Sequence, residues 1–242
     1  MKKFELTSEF VTFLGKTLFR IKALVSFGDV AEGELGGFIE RENNLDQSGD
    51  AWVSGDAWVC GDAQVCGDAQ VCGDARVYGD AQVFGDARVY GDAQVFGDAR
   101  VCGDARVYGD AQVFGDARVC GDARVYGDAR VYGDAQVCGD AQVFGDAQVC
   151  GDAWVCGDAR VYGDAWVQNC RDYSATSCFG SENRTTTFFR TKDGGISVRC
   201  GCFYGTLREF REKVKERHGD SRLAKEYLML ADLMEFRLSK DE

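Results

Sequence analysis

A six-residue unit, Gly-Asp-Ala-x-Val-x, repeats twenty times without interruption from Gly49 to Gln168, half of the 242-residue chain. A strict short period of this kind stacks as a solenoid, in which each unit contacts only its neighbours along one axis. Within a unit, Gly, Ala and Val share one parity; Asp, the fourth residue and the sixth share the other. Successive strand residues face opposite sides, so Ala57 and Val59 point one way and Trp58 and Cys60 the other. The charged Asp and Arg residues lie on the parity of the aromatics, which makes the Ala/Val side the interior. Gly-Asp is a turn signal, because Gly accepts positive φ and Asp hydrogen-bonds nearby backbone. Each unit therefore predicts one short strand and one corner.

The sixth positions set the number of units per coil. Taking every third unit gives a file of Cys66, Phe84, Cys102, Cys120, Cys138 and Cys156. A second file reads Ser54, Cys72, Tyr90, Tyr108, Tyr126, Phe144 and Tyr162, and a third Cys60, Tyr78, Phe96, Phe114, Tyr132, Cys150 and Gln168. Five of the eight repeat cysteines fall in the six-member first file, whereas sampling every second unit leaves the residues mixed. Eighteen residues per coil means three strands per turn and a triangular section. The predicted fold is an all-β, three-sided parallel β-solenoid over residues 49–168. An N-terminal β cap occupies 1–48, and a C-terminal β-hairpin with two helices occupies 169–242.

The flanks supply the capping expectations. Thr17–Ala23 alternates as a half-exposed strand, and the later part of 1–48 reads as an irregular first rung. Thr185–Arg190 and Ile196–Phe203 flank Lys192-Asp193-Gly194-Gly195 and read as a hairpin. Ile196, Val198, Cys200, Cys202 and Tyr204 share one parity, which predicts one buried strand face. Thr206 with Glu209 forms a capping box for a helix to about Arg217. Gly219 ends it, and Leu223, Tyr227, Leu230 and Met234 make the apolar stripe of a second helix. Trp52, Trp58, Trp154 and Trp166 occur only near the two ends of the tract, as expected if they pack under the caps.

Val59-Cys60-Gly61-Asp62-Ala63-Gln64 and its copies resemble the hexapeptide-repeat left-handed parallel β-helix superfamily. The Gly-Asp-Ala-Arg-Val-Tyr style is nearest to uncharacterised bacterial and prophage proteins of that kind. Gly28-Asp29-Val30 and Leu35-Gly36-Gly37-Phe38-Ile39-Glu40 are similar to segments that precede such repeats. The resemblance implies a left-handed coil and supplies no activity to carry over. Acyltransferases and carbonic anhydrases of the superfamily use histidine as base or metal ligand. This chain has one histidine, His218, at a predicted helix end, where a cationic ring favours the C-terminal dipole. Neither a Gly-rich phosphate loop nor Gly-x-Ser-x-Gly is present. The expectation is a non-enzymatic protein with no cofactor and no bound metal.

The net charge of −12 lies on the repeats, whose twenty Asp and eight Arg are accompanied by no Glu or Lys; the flanks balance. That sign disfavours direct nucleic-acid binding. Lys16, Arg20 and Lys22 interrupt the most apolar stretch, and Met1-Lys2-Lys3-Phe4-Glu5 lacks a signal-peptide core, so no membrane contact and a cytoplasmic location are expected. There, most of the twelve cysteines should remain thiols.

Three surface features bear on function. Tyr90, Tyr108, Tyr126, Phe144 and Tyr162 form one aromatic ladder, and Tyr78, Phe96, Phe114 and Tyr132 another. Together they predict an apolar patch beyond ~400 Å² that supports self-association as a dimer or lateral oligomer. Corner aspartates such as Asp86, Asp104, Asp122 and Asp140 place one carboxylate per ~1.6 Å of rod, against one charge per ~1.7 Å for DNA. An acidic rod that imitates duplex DNA toward a basic protein partner is the runner-up. Cys102, Cys120, Cys138 and Cys156 stack within the spacing that permits disulfides or soft-metal capture, although Cys also serves as a small outward residue copied by duplication. All six repeat tyrosines follow Arg-Val, as in Arg106-Val107-Tyr108. Cation–π contact and duplication of a twelve-residue unit both account for that pairing.

Overall fold

The computed structural model describes residues 2–239. Strands β1 (Phe4–Phe13) and β2 (Lys16–Ala23) form an antiparallel hairpin. Strand β3 (Leu35–Ile39) runs antiparallel to β2 on one edge and parallel to Trp58–Val59 on the other. A 3-10 turn at Glu42–Asn44 follows, and Leu45 then bridges Val65 in parallel. Residues 35–45 thus lay down two sides of a rung, on which the first repeat coil is templated.

Twenty strands, β4 to β23, follow at every x-Val pair from Trp52–Val53 to Trp166–Val167. They form three parallel sheets in which each strand pairs with the one three units on. Two faces carry seven repeat strands each and the third carries six; the hairpin and β3 extend one of the seven-stranded faces. Arg88, Arg106 and Arg124 lie in register, as do Val89, Val107 and Val125. Backbone N–H groups donate to the next coil throughout, for example Gln94 N to Ala111 O at 2.9 Å and Phe96 N to Val113 O at 3.0 Å. Every repeat Ala and Val is fully buried. Methyl and isopropyl groups are the side chains that fill so narrow a bore without voids.

The corners depend on glycine for two reasons. Gly103 has φ +68°, which a side chain rarely tolerates. A Cβ there would also lie 3.1 Å from the amide nitrogen of Gly121 in the next coil. Gly157 has φ +63° but nothing within 4 Å, because no repeat corner lies above it.

Both open ends are closed. At the start, Phe4, Ile21 and Trp52 join the solenoid core. The buried Lys3 Nζ donates to Ser48 O, Gly49 O and Ala51 O, carbonyls with no coil beneath them. Burial lowers its pKa, against the opposing pull of Asp46, Asp50 and Asp68. At the far end, β24 (Tyr173–Phe179), β25 (Arg184–Arg190), β26 (Ile196–Cys200) and β27 (Phe203–Thr206) form an antiparallel sheet backed by α1 (Leu207–His218) and α2 (Arg222–Leu238). Alternation along β25 splits two neighbours between two cores: Phe189 plugs the bore, while Phe188 faces the helices beside Phe210 and Val214. Buried Asp172 pins the junction by pairing with Arg190 at 3.1 Å and accepting from Gln168 N and Asn169 N.

The C-terminal module departs from the sequence expectations in four ways. The hairpin is the centre of a four-stranded sheet, with β24 added at one edge and β27 at the other. Ile196–Phe203 is not one strand: Gly201 turns the chain at φ +57°, so Cys202 and Tyr204 leave the buried face. The buried stripe of α2 is Ala224, Tyr227, Ala231, Met234 and Leu238, with Leu223 and Leu230 only partly covered. Small residues at Ala224 and Ala231 let the helix approach its neighbours more closely there. Finally, Trp52 is buried against Phe4 and Phe27 and Trp58 lies against Phe13, but Trp154 and Trp166 remain 53% and 37% exposed. The C-terminal sheet docks end-on, through Phe189 and the Ala165–Thr191 bridge, so it does not cover the faces from which those indoles project.

The two glycines separate the causes of corner strain. Gly103→Ala should destabilise the protein by ~2 kcal/mol or more, from strained φ plus contact with the next coil, and Gly157→Ala by only the strain. Denaturant unfolding of the two variants checks this; equal losses would show that stacking does not constrain the corner.

Candidate interaction surface

The outward sixth positions stack because the backbone beneath them is in register. Tyr78, Phe96, Phe114 and Tyr132 follow one another at 4.9 Å between ring centroids, with planes within 3°. On the neighbouring corner Tyr90, Tyr108, Tyr126 and Phe144 repeat at 4.8 Å with planes within 5°. Phe144 to Tyr162 tilts by 33°, because Tyr162 meets the cap residue Tyr204 edge-on at 4.5 Å. The other ladder begins in the same manner, with Phe13 of β1 meeting Tyr78 at 71°. The caps thus supply a terminal ring to each ladder, which the repeat pattern alone does not reveal.

Face-to-face stacking changes what the ladders offer to solvent. Every ring is half-buried, and the inner rings have both faces covered by the rings above and below, whereas Tyr90 and Tyr132 stack on one side only. What projects is a ribbed strip of ring edges and hydroxyls. Burial raises the Tyr78, Tyr108, Tyr126 and Tyr132 phenols above their ordinary pKa. Tyr78 and Tyr132 hydroxyls donate to Gln94 and Gln148 one coil on, at 3.4 and 3.2 Å.

Stacking also answers the Arg-Tyr question. Among the described residues, the cation–ring contacts are Lys3 over Phe27, Arg20 over Phe38, and Arg76 over Phe13 and Trp58. None joins a repeat arginine to the tyrosine two residues on. Within the ladders the ring faces are occupied by other rings, so the guanidinium beside an inner tyrosine has no face to cover. Arg88, Arg106 and Arg124 instead form their own exposed file beside the Tyr90–Tyr126 ladder, and no ion pair engages them among the described residues.

All twenty repeat aspartates are exposed at the three corners, including Asp86, Asp104, Asp122 and Asp140. Among the described residues the only repeat aspartates in ion pairs are Asp56 with Arg20 and Asp62 with Arg41, both to the N-terminal cap. The thiol file immediately precedes that acidic corner. Cys102 and Cys120 are half-buried, and burial raises both thiol pKa values. Cys138 accepts from Trp154 Nε1 at 2.9 Å, and Cys156 lies exposed near the Tyr173 hydroxyl. Twelve cysteines are free, and no group of three or more His, Cys, Asp or Glu side chains among the described residues is placed to hold a metal ion. No helix among them is long and apolar enough to cross a membrane. His218 stacks on Tyr227 in the C-terminal module, far from the repeat ladders in sequence and packing.

The repeat tract is similar to the YdcK Beta solenoid repeat. Its family model matches residues 69–83, 81–97, 93–109, 99–115, 117–133, 123–139, 135–151 and 153–169, all but the last residue within the coils. No curated protein matches the chain. A repeat β-solenoid of about seven parallel turns is therefore the fold that sequence family and structure share.

The raised thiol and phenol pKa values fix a sign for stability against pH. A group whose folded pKa exceeds its unfolded value stabilises fully below the unfolded pKa, and loses that contribution as pH rises through the folded one. Cys60, Cys66, Cys72, Cys102 and Cys120 all shift upward through burial. Thermal melts should therefore fall from about pH 8.5 upward, and Cys102→Ser with Cys120→Ser should flatten the fall. A melting temperature that rises across that window would contradict buried, protonated thiols.

Proposed function

We propose that the protein is a non-catalytic structural module that associates laterally with further copies of itself. The observation that carries this reading is the ribbed face formed by Tyr90, Tyr108, Tyr126 and Phe144 at a constant 4.8 Å. A partner that fits such ribs continuously must repeat at the same spacing, and another coil of this chain does. Charge supports the same choice. The unpaired Arg88, Arg106 and Arg124 file has the period of the Asp files, so guanidinium and carboxylate rows of two copies match along their whole length. Many aligned, partly desolvated pairs act together where one exposed pair contributes little.

Sedimentation velocity tests the reading. The native chain should sediment as a dimer or larger species, and Tyr90→Ser with Tyr108→Ser and Tyr126→Ser should leave a monomer with unchanged circular dichroism. Unchanged sedimentation of that variant would overturn it.

A second reading is favoured by the exposure of every repeat aspartate. A stiff rod with three acidic corners would engage a basic, nucleic-acid-binding protein as a substitute for duplex DNA. Salt distinguishes the two. A DNA-like contact is lost steeply between low and moderate ionic strength, whereas association led by ring edges loses only the contribution of its charge rows and persists.

A further inference from the structure

The C-terminal module contains a cavity that the scaffold reading does not use. It lies between the four-stranded sheet and the two helices, with a volume of about 310 Å³, at the lower end of the range for small-molecule sites. Its floor is aromatic. Phe179 and Phe210 each meet Tyr227 edge-on, at 5.4 and 5.8 Å, and Phe203 packs on Phe210 at 5.6 Å. These rings are anchored from behind. Phe188 meets Phe210 at 88°, and the Tyr227 hydroxyl accepts from Ser181 N at 3.1 Å. The floor is therefore preformed rather than a gap between loose side chains.

The rim has one dominant sign. Arg184, Lys213 and Arg217 line the opening, with His218 beside them and Glu182 as the one acid. Lys213 is already paired with Glu216 at 2.8 Å, while Arg184 and Arg217 enter no ion pair among the described residues. This cationic rim is notable in a chain whose net charge is −12. A ring-lined floor alone would suit a quaternary ammonium group through cation–π attraction. Unpaired guanidinium groups at the mouth oppose that choice and favour an anionic head, which Arg binds in bidentate fashion.

From this combination we propose that the pocket binds a small amphipathic carboxylate, its apolar body on Phe179, Phe210 and Tyr227 and its carboxylate at Arg184 and Arg217. Aromatic acids and short acyl acids share that chemistry. The site lies wholly in the C-terminal module, so its occupancy is independent of lateral assembly.

Calorimetric titration of the full chain with 2-naphthoate, 2-naphthamide, 2-naphthylammonium and octanoate tests the proposal. Naphthoate should bind saturably with one site per chain, at least roughly tenfold tighter than the uncharged amide. Saturable octanoate binding would extend the class to acyl acids; its absence would confine the class to aromatic acids, with the site retained. Arg184→Gln with Arg217→Gln should reduce naphthoate to the affinity of the amide while leaving the amide unchanged, and the Tyr-to-Ser ladder variant should bind naphthoate as the native chain does. Amide resonances of 179–184 and α1 should shift on titration. Absence of saturation at millimolar naphthoate, tighter binding of the ammonium, equal binding of the amide, or shifts confined to the coils would each overturn the assignment.

Discussion

Hydrogen bonds from each coil to the next, donated seventeen residues ahead with little variation in length, are the constraint from which the remaining architecture follows. Because the pairing is parallel and in register, each side chain lies above its own counterpart. A choice made once in the hexapeptide is therefore copied along the rod. Ala and Val become a continuous apolar bore, Asp becomes three exposed edges, and any aromatic that recurs becomes a stack. Two-residue strands would be too short to persist alone; here each is held between two others, except at the ends.

The ends consequently require residues that the repeat cannot supply. An exposed terminal coil presents unpaired backbone groups for further strand addition. At one end Lys3 occupies three such carbonyls, and at the other Phe189 closes the bore while Asp172 and Arg190 fasten the chain beside it. With both ends closed, growth along the axis is blocked and the faces are left as the available contact area. The rings Phe13 and Tyr204 end the aromatic stacks in the same places. The segments that close the backbone thus also end one aromatic stack each.

Legibility in the sequence follows how often a signal is repeated. The direction of every Ala and Val, the three-strand coil and the vertical files could be read because twenty copies carry the same message. The later part of 1–48 reads as an irregular first rung, which residues 35–45 form, and the Thr206–Glu209 capping box locates α1 to within a residue. Features present once were harder. Gly201 breaks a strand whose parity looked continuous, and α2 turns about one position to bury Ala224 and Ala231, which a hydrophobicity stripe undervalues. Trp154 and Trp166 illustrate another difficulty: an indole near a terminus is explained by packing only if the cap lies alongside it, and the approach direction of the cap is a tertiary fact. For the ladders, the residues were legible but their presentation was not. Ring-on-ring contact uses the faces that an isolated Arg-x-Tyr pair would have shared.

Three strands to a coil also make the number of hexapeptides an angular variable. Phe189 and the Ala165–Thr191 bridge tie the C-terminal module to one particular side of the final turn. Gaining or losing three units would lengthen or shorten the shaft and preserve the azimuth between the two ends. Loss of one unit would swing the terminal module by about 120° relative to the hairpin, and the pocket with it. Variation in copy number would thus alter reach in one case and the angle of presentation in the other, with the same Ala/Val bore retained in every remaining coil.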